Sequence, residues 1–297
     1  MVATRRLSEL VASALSQLNL PEGRLTVALS GGADSATLAL LAIESGREID
    51  LAHVDHQLVA SPTMTGAARE IASVLGVALD TFQVELGTGP SLEERARDAR
   101  YRVLEQIDTS VVTGHTRDDS VETMLINLIR GTGPTGLTGI PRHRPPNIHR
   151  PMLSITRSET REIATLAGLP FVDDPMNADM LLTRNRIRLH ILPLMRDLNP
   201  QIDEALARAG NLLERDRGFL EELASPHQTA AVPVSVVLTL PRALADRVLR
   251  HALEEAAIGP TADRIGRMWS VASGEADRQD LSERRAVVRR GALLVIE

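Results

Sequence analysis

The sequence predicts an α/β fold: a doubly wound parallel sheet followed by a second, smaller and mainly helical domain. Two observations support this prediction. From Arg24 to Gly114, short apolar segments that favour strands alternate with helical segments, which is typical of a parallel sheet covered on both faces. From about Asn199 onward the apolar residues follow helical spacing instead. We therefore expect domains over residues 1–198 and 199–297.

The composition limits the classes of protein to which this chain can belong. With 297 residues, of which 43% are hydrophobic and 24% charged, the chain has the size of about two globular domains. Its 39 acidic residues exceed its 33 basic ones, and a net charge of −6 argues against a general nucleic-acid binder while leaving local basic patches open. All of these basic residues are arginines. Cysteine is absent, which excludes disulfides, thiolate metal sites and cysteine nucleophiles.

The first 20 residues are predicted to form an amphipathic helix, because Leu7, Leu10 and Ala14 recur at helical spacing. This segment has no long apolar core, so we expect no signal peptide. No stretch of about 18 apolar residues occurs, so we expect no membrane partner. The expected location is the cytoplasm, and the sequence leaves open whether the protein is a homodimer.

Strands and helices are expected to alternate through the first domain. The expected strands are 25–29, 49–54, 78–84 and 110–113, and the expected helices begin near Ala33, Ser61, Ser91 and Asp118. Ser61-Pro62 marks a helix start with proline at the first helical position, and Ser91-Leu92-Glu93-Glu94 is a capping box. Because ligands bind beyond the carboxyl ends of parallel strands, the polar segments that follow three of these strands should meet at one rim of the sheet.

The following region is expected to be less regular. Residues 130–151 contain four glycines and five prolines, which predicts a mobile functional loop. Thr156-Arg157-Ser158-Glu159 is a second capping box that opens a helix, and a later helix is expected to end at Pro193. In the second domain we expect helices over 242–257 and 262–272 and a short hairpin over 281–297.

The first domain is organised around Ser30-Gly31-Gly32-Ala33-Asp34-Ser35, which joins an apolar strand to a helix. Its glycines allow a positive φ and a close approach of the backbone to a ligand. The free N–H groups at the start of the helix favour a bound phosphate, and the hydroxyls of Ser30 and Ser35 can donate further hydrogen bonds to it. Asp34 would repel a phosphate, so we predict that it holds Mg²⁺; the alternative is a turn capped by Asp34 or Ser35. The P-loop lysine and the Gly-x-Gly-x-x-Gly spacing are both absent.

Two further polar segments follow strands. His53-Val54-Asp55-His56 has three interpretations: a metal pair, a strand end with satisfied hydrogen bonds, or the wall of a nucleotide pocket, which we prefer because this strand should neighbour the first one. In Gly114–Thr123, Asp119 and Glu122 are three residues apart and share a helix face. They could hold Mg²⁺ or bind a cationic substrate; the alternative is that acidic residues in the first turn only complement the helix dipole.

The Ser30–Ser35 loop resembles the Ser-Gly-Gly-x-Asp-Ser loop of the ATP pyrophosphatases, the PP-loop superfamily. With six other segments it stands in the order found in the bacterial tRNA(Ile)-lysidine synthetase family, and the resemblance covers roughly residues 24–197. The six are His53–His56, Gly114–Thr123, Leu128–Gly133, Arg150–Leu153, Asp174–Asn177 and Arg184–Arg188. One departure is Gln57-Leu58-Val59, where the family usually has Gly and then Leu-Arg.

The resemblance implies a Rossmann-like fold of the adenine nucleotide alpha hydrolase type and an ATP-dependent carbon–nitrogen ligase that uses Mg²⁺. It implies that ATP adenylates carbon 2 of the wobble cytidine in a tRNA(Ile) with a CAU anticodon. The ε-amine of free L-lysine would then displace AMP, which gives lysidine, with pyrophosphate released in the first step.

The resemblance also implies roles for individual residues. The residues expected to bind ATP are Ser30, Gly31, Gly32, Ala33, Asp34, Ser35, His53, Gly114 and His115. Asp34 and Asp119 would hold Mg²⁺, and Asp119 and Glu122 would bind the substrate lysine. The expected catalytic residues are Asp34, Asp119, Glu122 and Arg186.

An acidic protein needs local attraction to hold a polyanion such as tRNA. The arginines expected to contact tRNA are Arg142, Arg144, Arg150, Arg184 and Arg188, and a further group in the tail comprises Arg284, Arg285, Arg289 and Arg290. For any single arginine, solvated surface charge is the alternative.

Other functions share the phosphate loop. Glutamine-dependent synthetases and tRNA thiolases use cysteines, which this chain lacks. An ammonia-dependent NAD synthetase and a catalytically silent RNA-binding relative remain as alternatives.

Overall fold

The computed structural model describes residues 2–58, 61–88 and 92–297, apart from the side chains of residues 2, 3, 93 and 178. The chain divides after Asn211 into two compact units. The elements of the first unit are α1 (Val2–Gln17), β1 (Leu25–Ala28), α2 (Ala33–Glu44), β2 (Ile49–Asp55), α3 (Ser61–Leu75), β3 (Leu79–Gln83), α4 (Leu92–Leu104), β4 (Ser110–Thr113), α5 (Arg117–Ile129), β5 (His143–Arg144), β6 (Ile148–His149), α6 (Arg157–Leu166), α7 (Thr183–Arg186), a π-helical turn (Ile187–Ile191) and α8 (Leu192–Leu198). Helix α9 (Ile202–Ala224) begins in the first unit and ends in the second, so the boundary expected near residue 198 lies within the first unit.

The first unit contains a six-stranded sheet in the order β3-β2-β1-β4-β6-β5. Strands β1 to β4 and β6 are parallel, and only the short β5 runs antiparallel to its neighbour. The parallel α/β sheet and the pairing of β1 with β2 confirm the sequence prediction. Since the chain adds strands on one side of β1 and then crosses to β4 on the other, the strand order reverses between β1 and β4. Open α/β sheets bind their ligands at such a point.

An apolar core covers the face of the sheet towards α1, α2 and α6. Leu25, Val27 and Leu29 are buried and pack against α2 residues that include Leu38 and Leu41. Each fully buried leucine contributes about 1.5–3 kcal/mol relative to an exposed one. On the other face, Tyr101, Leu104, Val111 and Ile148 form a smaller cluster. These two layers fix the strand ends from which the polar loops extend.

The structure corrects two local expectations, and a third lies outside the described residues. Residues 130–151, expected to be irregular, contain β5 and β6, which pair and extend the sheet. Pro193 does not end a helix: it is the second residue of α8, which continues directly from the π-helical turn. The capping box expected at Ser91 falls on a residue outside the described part of the chain.

Gln57 follows β2 with a positive φ of 54°. This left-handed conformation favours glycine, which is the usual residue at this position in the tRNA(Ile)-lysidine synthetase family that the sequence resembles. The backbone N–H of Gln57 donates to Asp55 Oδ1 at 2.8 Å, which holds the turn. Gln57 therefore carries some local strain that a glycine would not have.

The second unit combines the end of α9 with β7 (Val232–Pro233), α10 (Val234–Thr239), α11 (Arg242–Glu255), α12 (Ala262–Ser273), β8 (Arg278–Ser282), β9 (Arg285–Arg290) and β10 (Leu293–Ile296). The helices expected over 242–257 and 262–272 are α11 and α12, and the expected C-terminal hairpin is β9–β10. That hairpin belongs to a larger antiparallel sheet in the order β7-β10-β9-β8. Within the described residues, no helix combines the length and apolar character needed to cross a membrane.

Candidate active site

A cleft of about 650 Å³ lies at the carboxyl edge of the sheet in the first unit. The loops after β1, β2 and β4 line it, together with α4, α6 and residues 172–189. The charged residues that line it include Arg97, Arg100, Arg157, Arg161, Arg184 and Arg188, with Asp34, Asp119, Asp173 and Asp174. The cleft therefore carries more positive than negative side chains, although the whole chain is acidic. Such a cleft can attract a polyanion locally.

Hydrogen bonds within the Ser30–Ser35 loop stabilise its conformation. Ser35 Oγ accepts from Ser30 N at 3.0 Å and donates to Gly32 O at 3.0 Å. Gly31 has φ +91°, and a Cβ there would lie 2.5 Å from the carbonyl oxygen of Met64, so only glycine fits. Gly32 caps α2 without a side-chain hydrogen bond, which leaves the first N–H groups of α2 directed towards the cleft as donors for an anion.

Gly114 brings the loop after β4 against this phosphate-binding loop. A Cβ on Gly114 would lie only 3.0 Å from the backbone of Asp34 and Ser35. The close approach favours glycine and sets the start of α5 beside the start of α2. Carboxylates from two different helices can therefore face the same part of the cleft.

The structure separates the roles of the two aspartates at the start of α5. Asp118 Oδ2 accepts the backbone N–H of Arg157 at 2.9 Å and so anchors α6. Asp119 Oδ2 accepts from Thr116 N at 2.8 Å and from Thr116 Oγ1 at 2.9 Å, while its Oδ1 points into the cleft. Asp119 thus caps its helix, and its other carboxylate oxygen contacts Arg157 at the cleft.

Glu122 is fully buried and surrounded by guanidinium groups. Its Oε1 accepts from Arg157 Nη1 at 2.9 Å and from Arg188 Nε at 2.8 Å. Its Oε2 accepts from Arg188 Nη2 at 3.0 Å and lies 3.3 Å from Arg184 Nε. A buried carboxylate is stable only when it is paired in this way.

Arg157, at the first position of α6, reaches all three carboxylates that the sequence analysis selected. Its Nη2 donates to Asp119 Oδ1 at 2.7 Å and its Nε lies 3.9 Å from Asp34 Oδ2, in addition to the contact with Glu122. Asp119 and Glu122 raise the pKa of Arg157 above its ordinary value and outweigh the lowering by burial. Thr160, one turn further along α6, donates its hydroxyl to Asp34 Oδ1.

Sequence reasoning did not select Arg157 or Thr160. One signal could have found Arg157: a cation in the first turn of a helix opposes the helix dipole, which calls for a compensating contact. We refer below to Asp34, Asp119 and Glu122 as the carboxylate cluster.

The environments of the titratable groups push their pKa values apart. Burial raises the pKa of Asp34 to about 6, although the hydrogen bond from Thr160 opposes this shift. Burial also acts to raise the pKa of Asp119, but Arg157 and other partners outweigh it and hold that pKa at about 2. Burial lowers the pKa of His115 to about 3, so this imidazole is neutral at physiological pH. Neighbouring groups with such separated pKa values are typical of functional sites.

The raised pKa of Asp34 predicts a pH-dependent stability. In the unfolded chain an aspartate titrates near 3.9, and in the folded protein Asp34 titrates at about 6, so the folded state holds the proton more tightly between these values. The free energy of unfolding should therefore fall as the pH rises from about 4 to 6, by roughly 2–3 kcal/mol relative to the Asp34→Asn variant. Urea denaturation of both proteins at pH 4, 5, 6 and 7 measures this difference. A difference that stays flat over the window would contradict the raised pKa.

The carboxylate cluster suits a hard cation or an ammonium group. Its carboxylate oxygens are of the type that Mg²⁺ prefers, and the structure already holds one cation among them, the guanidinium of Arg157. Among the residues described, no group of three or more acidic or histidine side chains is arranged to hold a metal by itself. Asp34 and Asp119 would thus need oxygens from a phosphate substrate to complete a Mg²⁺ site, which is the usual arrangement for this ion.

Comparison with known proteins agrees with this geometry. A model of the PP-loop domain family matches residues 2–195. The tRNA(Ile)-lysidine synthase of Gloeobacter violaceus is 37% identical over 255 residues, which cover 79% of this chain and 78% of the relative. That of Nocardia farcinica is 37% identical, with 80% of this chain and 78% of the relative covered. The chain belongs to the tRNA(Ile)-lysidine synthase family.

Other members of the tRNA(Ile)-lysidine synthase family differ in length. The Thermus thermophilus synthase is 36% identical over 82% of this chain, but the chain spans only about half the length of that relative, 51%. Among solved structures, the U34-tRNA thiolase NcsA from Methanococcus maripaludis matches 72% of this chain and 80% of its own, with a TM-score of 0.57 and 18% identity. At that identity the similarity shows the fold alone.

Within this tRNA(Ile)-lysidine synthase fold, most residues that the sequence selected as ATP-binding lie at the cleft. His53 lines it, but both its ring nitrogens are engaged, Nδ1 with Leu29 O at 2.8 Å and Nε2 with Thr65 Oγ1 at 2.9 Å. This supports both the pocket-wall and the satisfied-strand-end interpretations. His115 also lines the cleft and its Nδ1 lies 2.9 Å from Thr113 Oγ1.

The structure distributes the selected arginines unevenly. Arg184 and Arg188 face the cleft, whereas Arg186 between them is exposed on the other side of α7 and is not brought to the carboxylate cluster. Arg150, selected for tRNA, is 2% exposed and donates to Pro141 O and Tyr101 Oη, so it has no surface to offer a phosphate. Arg144 is half-buried and pairs with Glu105 at 2.9 Å, and Arg142 is exposed.

Proposed function

We propose that this chain ligates L-lysine to carbon 2 of the wobble cytidine of a tRNA(Ile) with a CAU anticodon. ATP adenylates the base first, and lysine then displaces AMP. The observation that carries the proposal is that Asp34 and Asp119 line one cleft beside a phosphate-binding loop, while Glu122 is buried behind them and linked to both through Arg157. Membership of the tRNA(Ile)-lysidine synthase family supports the same reaction.

The nucleotide is proposed to bind with its phosphates against the start of α2. The free N–H groups there and the dipole of α2 favour the negative charge, and the glycines allow the backbone to approach it. Asp34 would hold Mg²⁺, which would neutralise the phosphate charge that develops when pyrophosphate leaves, and the one available oxygen of Asp119 is left for the substrate lysine. Because Asp34 is tied to α6 through Thr160, its carboxylate is held in place before the nucleotide arrives.

The substrate lysine is proposed to place its ε-ammonium between Asp119 and Glu122. A free lysine ammonium has a pKa near 10.4, so the amine must lose a proton before it attacks. Glu122 is proposed to accept this proton first; the neutral amine then attacks carbon 2, and the new carbon–nitrogen bond forms as the bond between carbon 2 and the AMP oxygen breaks. AMP leaves with the electron pair of that bond, and no oxidant or further reactant is needed.

Incubation of the protein with ATP, Mg²⁺, radiolabelled lysine and tRNA transcripts tests the proposal. Label should enter tRNA(Ile) with a CAU anticodon, with one AMP and one pyrophosphate formed per lysine incorporated. ADP and phosphate as products would contradict it. Pyrophosphate release that needs ammonia and no tRNA would indicate an NAD synthetase, and tRNA binding without ATP cleavage would indicate a silent RNA-binding relative.

We also propose that exposed arginines outside the cleft contribute to tRNA binding. Arg142 is exposed beside β5 in the first unit, and Arg284, Arg285, Arg289 and Arg290 are exposed on the sheet of the second unit. We therefore expect Arg142→Gln to weaken tRNA binding and to reduce the slope of log K against log salt concentration by about one unit. Filter binding at several salt concentrations measures both quantities.

The Arg24→Gln variant is the matched control for Arg142→Gln. Arg24 is also exposed, but it pairs with Asp50 at 2.6 Å and precedes β1, at the edge of the sheet opposite the cleft. It should leave the salt slope unchanged. If both variants behave alike, Arg142 is solvated surface charge and the tRNA lies elsewhere.

A further inference from the structure

The guanidinium group of Arg157 occupies the place where the proposed function needs other cations. Its Nη1 and Nη2 contact Glu122 at 2.9 Å and Asp119 at 2.7 Å, the two residues proposed to hold the lysine ammonium. Its Nε faces Asp34 Oδ2 at 3.9 Å, where a nucleotide-bound cation is proposed. One side chain therefore fills the lysine position and borders the nucleotide position.

An ammonium group cannot take up the Asp119 and Glu122 oxygens while the guanidinium holds them. Asp119 has only Oδ1 to offer, because Oδ2 is engaged by Thr116, and Arg157 already contacts that Oδ1. Glu122 Oε1 is likewise shared between Arg157 and Arg188. Lysine must therefore displace Arg157, or find it already displaced.

The side chain of Arg157 can move without its helix. The backbone N–H of Arg157 is fixed by Asp118 Oδ2 at 2.9 Å, and the helix start is closed by the Thr156–Glu159 capping box. The guanidinium, in contrast, borders the open cleft, with 26% of the side chain exposed. A rotation about the side-chain bonds would carry it from the carboxylates towards the phosphate-binding loop.

We propose that Arg157 is a positioning residue that couples nucleotide binding to lysine binding. In the free protein it pairs with Asp119 and Glu122. When a triphosphate binds beside Asp34, its oxygens attract the guanidinium, which can bind phosphate through two parallel hydrogen bonds. The departure of Arg157 opens the lysine position, so lysine binds the nucleotide complex more tightly than the free protein. This inference rests on the proposed function.

Equilibrium dialysis with radiolabelled lysine tests the coupling in the unmodified protein. Lysine affinity is measured alone and with Mg²⁺ and saturating α,β-methylene-ATP, which cannot be cleaved at the bond that the proposed reaction breaks. We expect the dissociation constant of lysine to fall at least about fivefold with the nucleotide, the lower end of typical coupling between sites. By linkage, saturating lysine must tighten nucleotide binding by the same factor. An unchanged lysine affinity would overturn the proposal.

Two substitutions test whether Arg157 carries this coupling. In Arg157→Gln the contacts of Arg157 with Asp119 Oδ1 and Glu122 Oε1 are absent at all times, while Arg188 still pairs with Glu122. Lysine should therefore bind the free protein at least about fivefold more tightly, and the nucleotide should change its affinity less than about twofold. Arg157→Lys keeps a cation but lacks the planar fork, and should retain part of the coupling. Arg6→Gln is the control, because it removes an exposed arginine that pairs with Glu162 on the same helix α6, and the coupling should persist.

The outcomes separate this proposal from the proposed function. If Arg157→Gln weakens lysine binding equally with and without nucleotide, Arg157 is a fixed part of the lysine site and the coupling proposal is wrong. If the unmodified protein transfers label from lysine to tRNA but shows no coupling, the proposed function stands and this inference fails. If no label is transferred and lysine does not bind, the proposed function itself fails.

Discussion

The Asp34→Asn variant is expected to lose at least about 10²-fold in the rate of pyrophosphate release while its thermal stability stays equal or rises. The loss follows because an uncharged amide holds a divalent cation much more weakly than a carboxylate, and a single electrostatic contact of this kind is worth about 10²–10³ in rate. The stability follows because burial raises the pKa of Asp34 to about 6, so the ionised carboxylate is unfavourable in the fold at neutral pH. Pyrophosphate release and thermal unfolding at pH 7.5 measure the two effects.

Opposite changes in activity and stability distinguish a functional carboxylate from a structural one. Asp50→Asn is the control, because Asp50 pairs with Arg24 at 2.6 Å near the amino ends of the strands, away from the cleft. This variant should leave turnover within about twofold of the unmodified protein. Unchanged turnover in Asp34→Asn would remove Asp34 from the proposed mechanism. Lost turnover with a large loss of stability would show that Asp34 mainly holds α2 to α6.

The phosphate-binding loop could be predicted from sequence because local chemistry determines it. Gly31 adopts a positive φ beside the Met64 carbonyl, a conformation that favours glycine. A strand followed by two glycines and a helix predicts such a turn from the sequence alone. The pairing of β1 with β2 and the gathering of loops at one rim also follow from alternating strands and helices. These features depend on short segments and on the handedness of the chain.

The division of labour among charged side chains could not be predicted, because it depends on contacts distant in sequence. Asp118 and Asp119 are adjacent and chemically identical, yet one anchors α6 and the other faces the cleft. Arg157 lies 35 positions from its partner Glu122, and nothing local marks that meeting. The sequence predicts Arg150 to be a surface cation, but it is buried against Tyr101. It directly follows β6, whose pairing with β4 places this part of the chain inside the fold.

The net charge of the whole chain does not indicate the local charge of the cleft. An overall charge of −6 argues against attraction of a polyanion, but the residues that line the cleft include more arginines than aspartates. Glu122, buried beneath them, holds three of these arginines together. The carboxylate therefore shapes the positive lining of the cleft as well as the proposed lysine position.

Glu122→Gln should accordingly raise the KM for lysine by about 30-fold or more while the KM for ATP changes less than about threefold. Loss of one partner of a buried charge pair is worth about 2–5 kcal/mol, and lysine is the substrate whose charge Glu122 is proposed to meet. The variant should also be about 3 kcal/mol less stable, because three guanidinium groups lose their shared carboxylate. Steady-state kinetics with each substrate varied, and urea denaturation, measure these effects.

The control for Glu122→Gln is Glu204→Gln, which removes a glutamate paired with Arg117 at 2.8 Å but 41% exposed. That pair should be worth at most about 1 kcal/mol, and both KM values should stay unchanged. The decisive comparison is the ratio of the two KM changes in Glu122→Gln. A ratio near one would mean that Glu122 serves the nucleotide or the fold, because a general loosening of the cleft weakens both substrates alike. A large ratio requires a contact that lysine makes and ATP does not, and the buried position of Glu122 beside Asp119 is where such a contact can form.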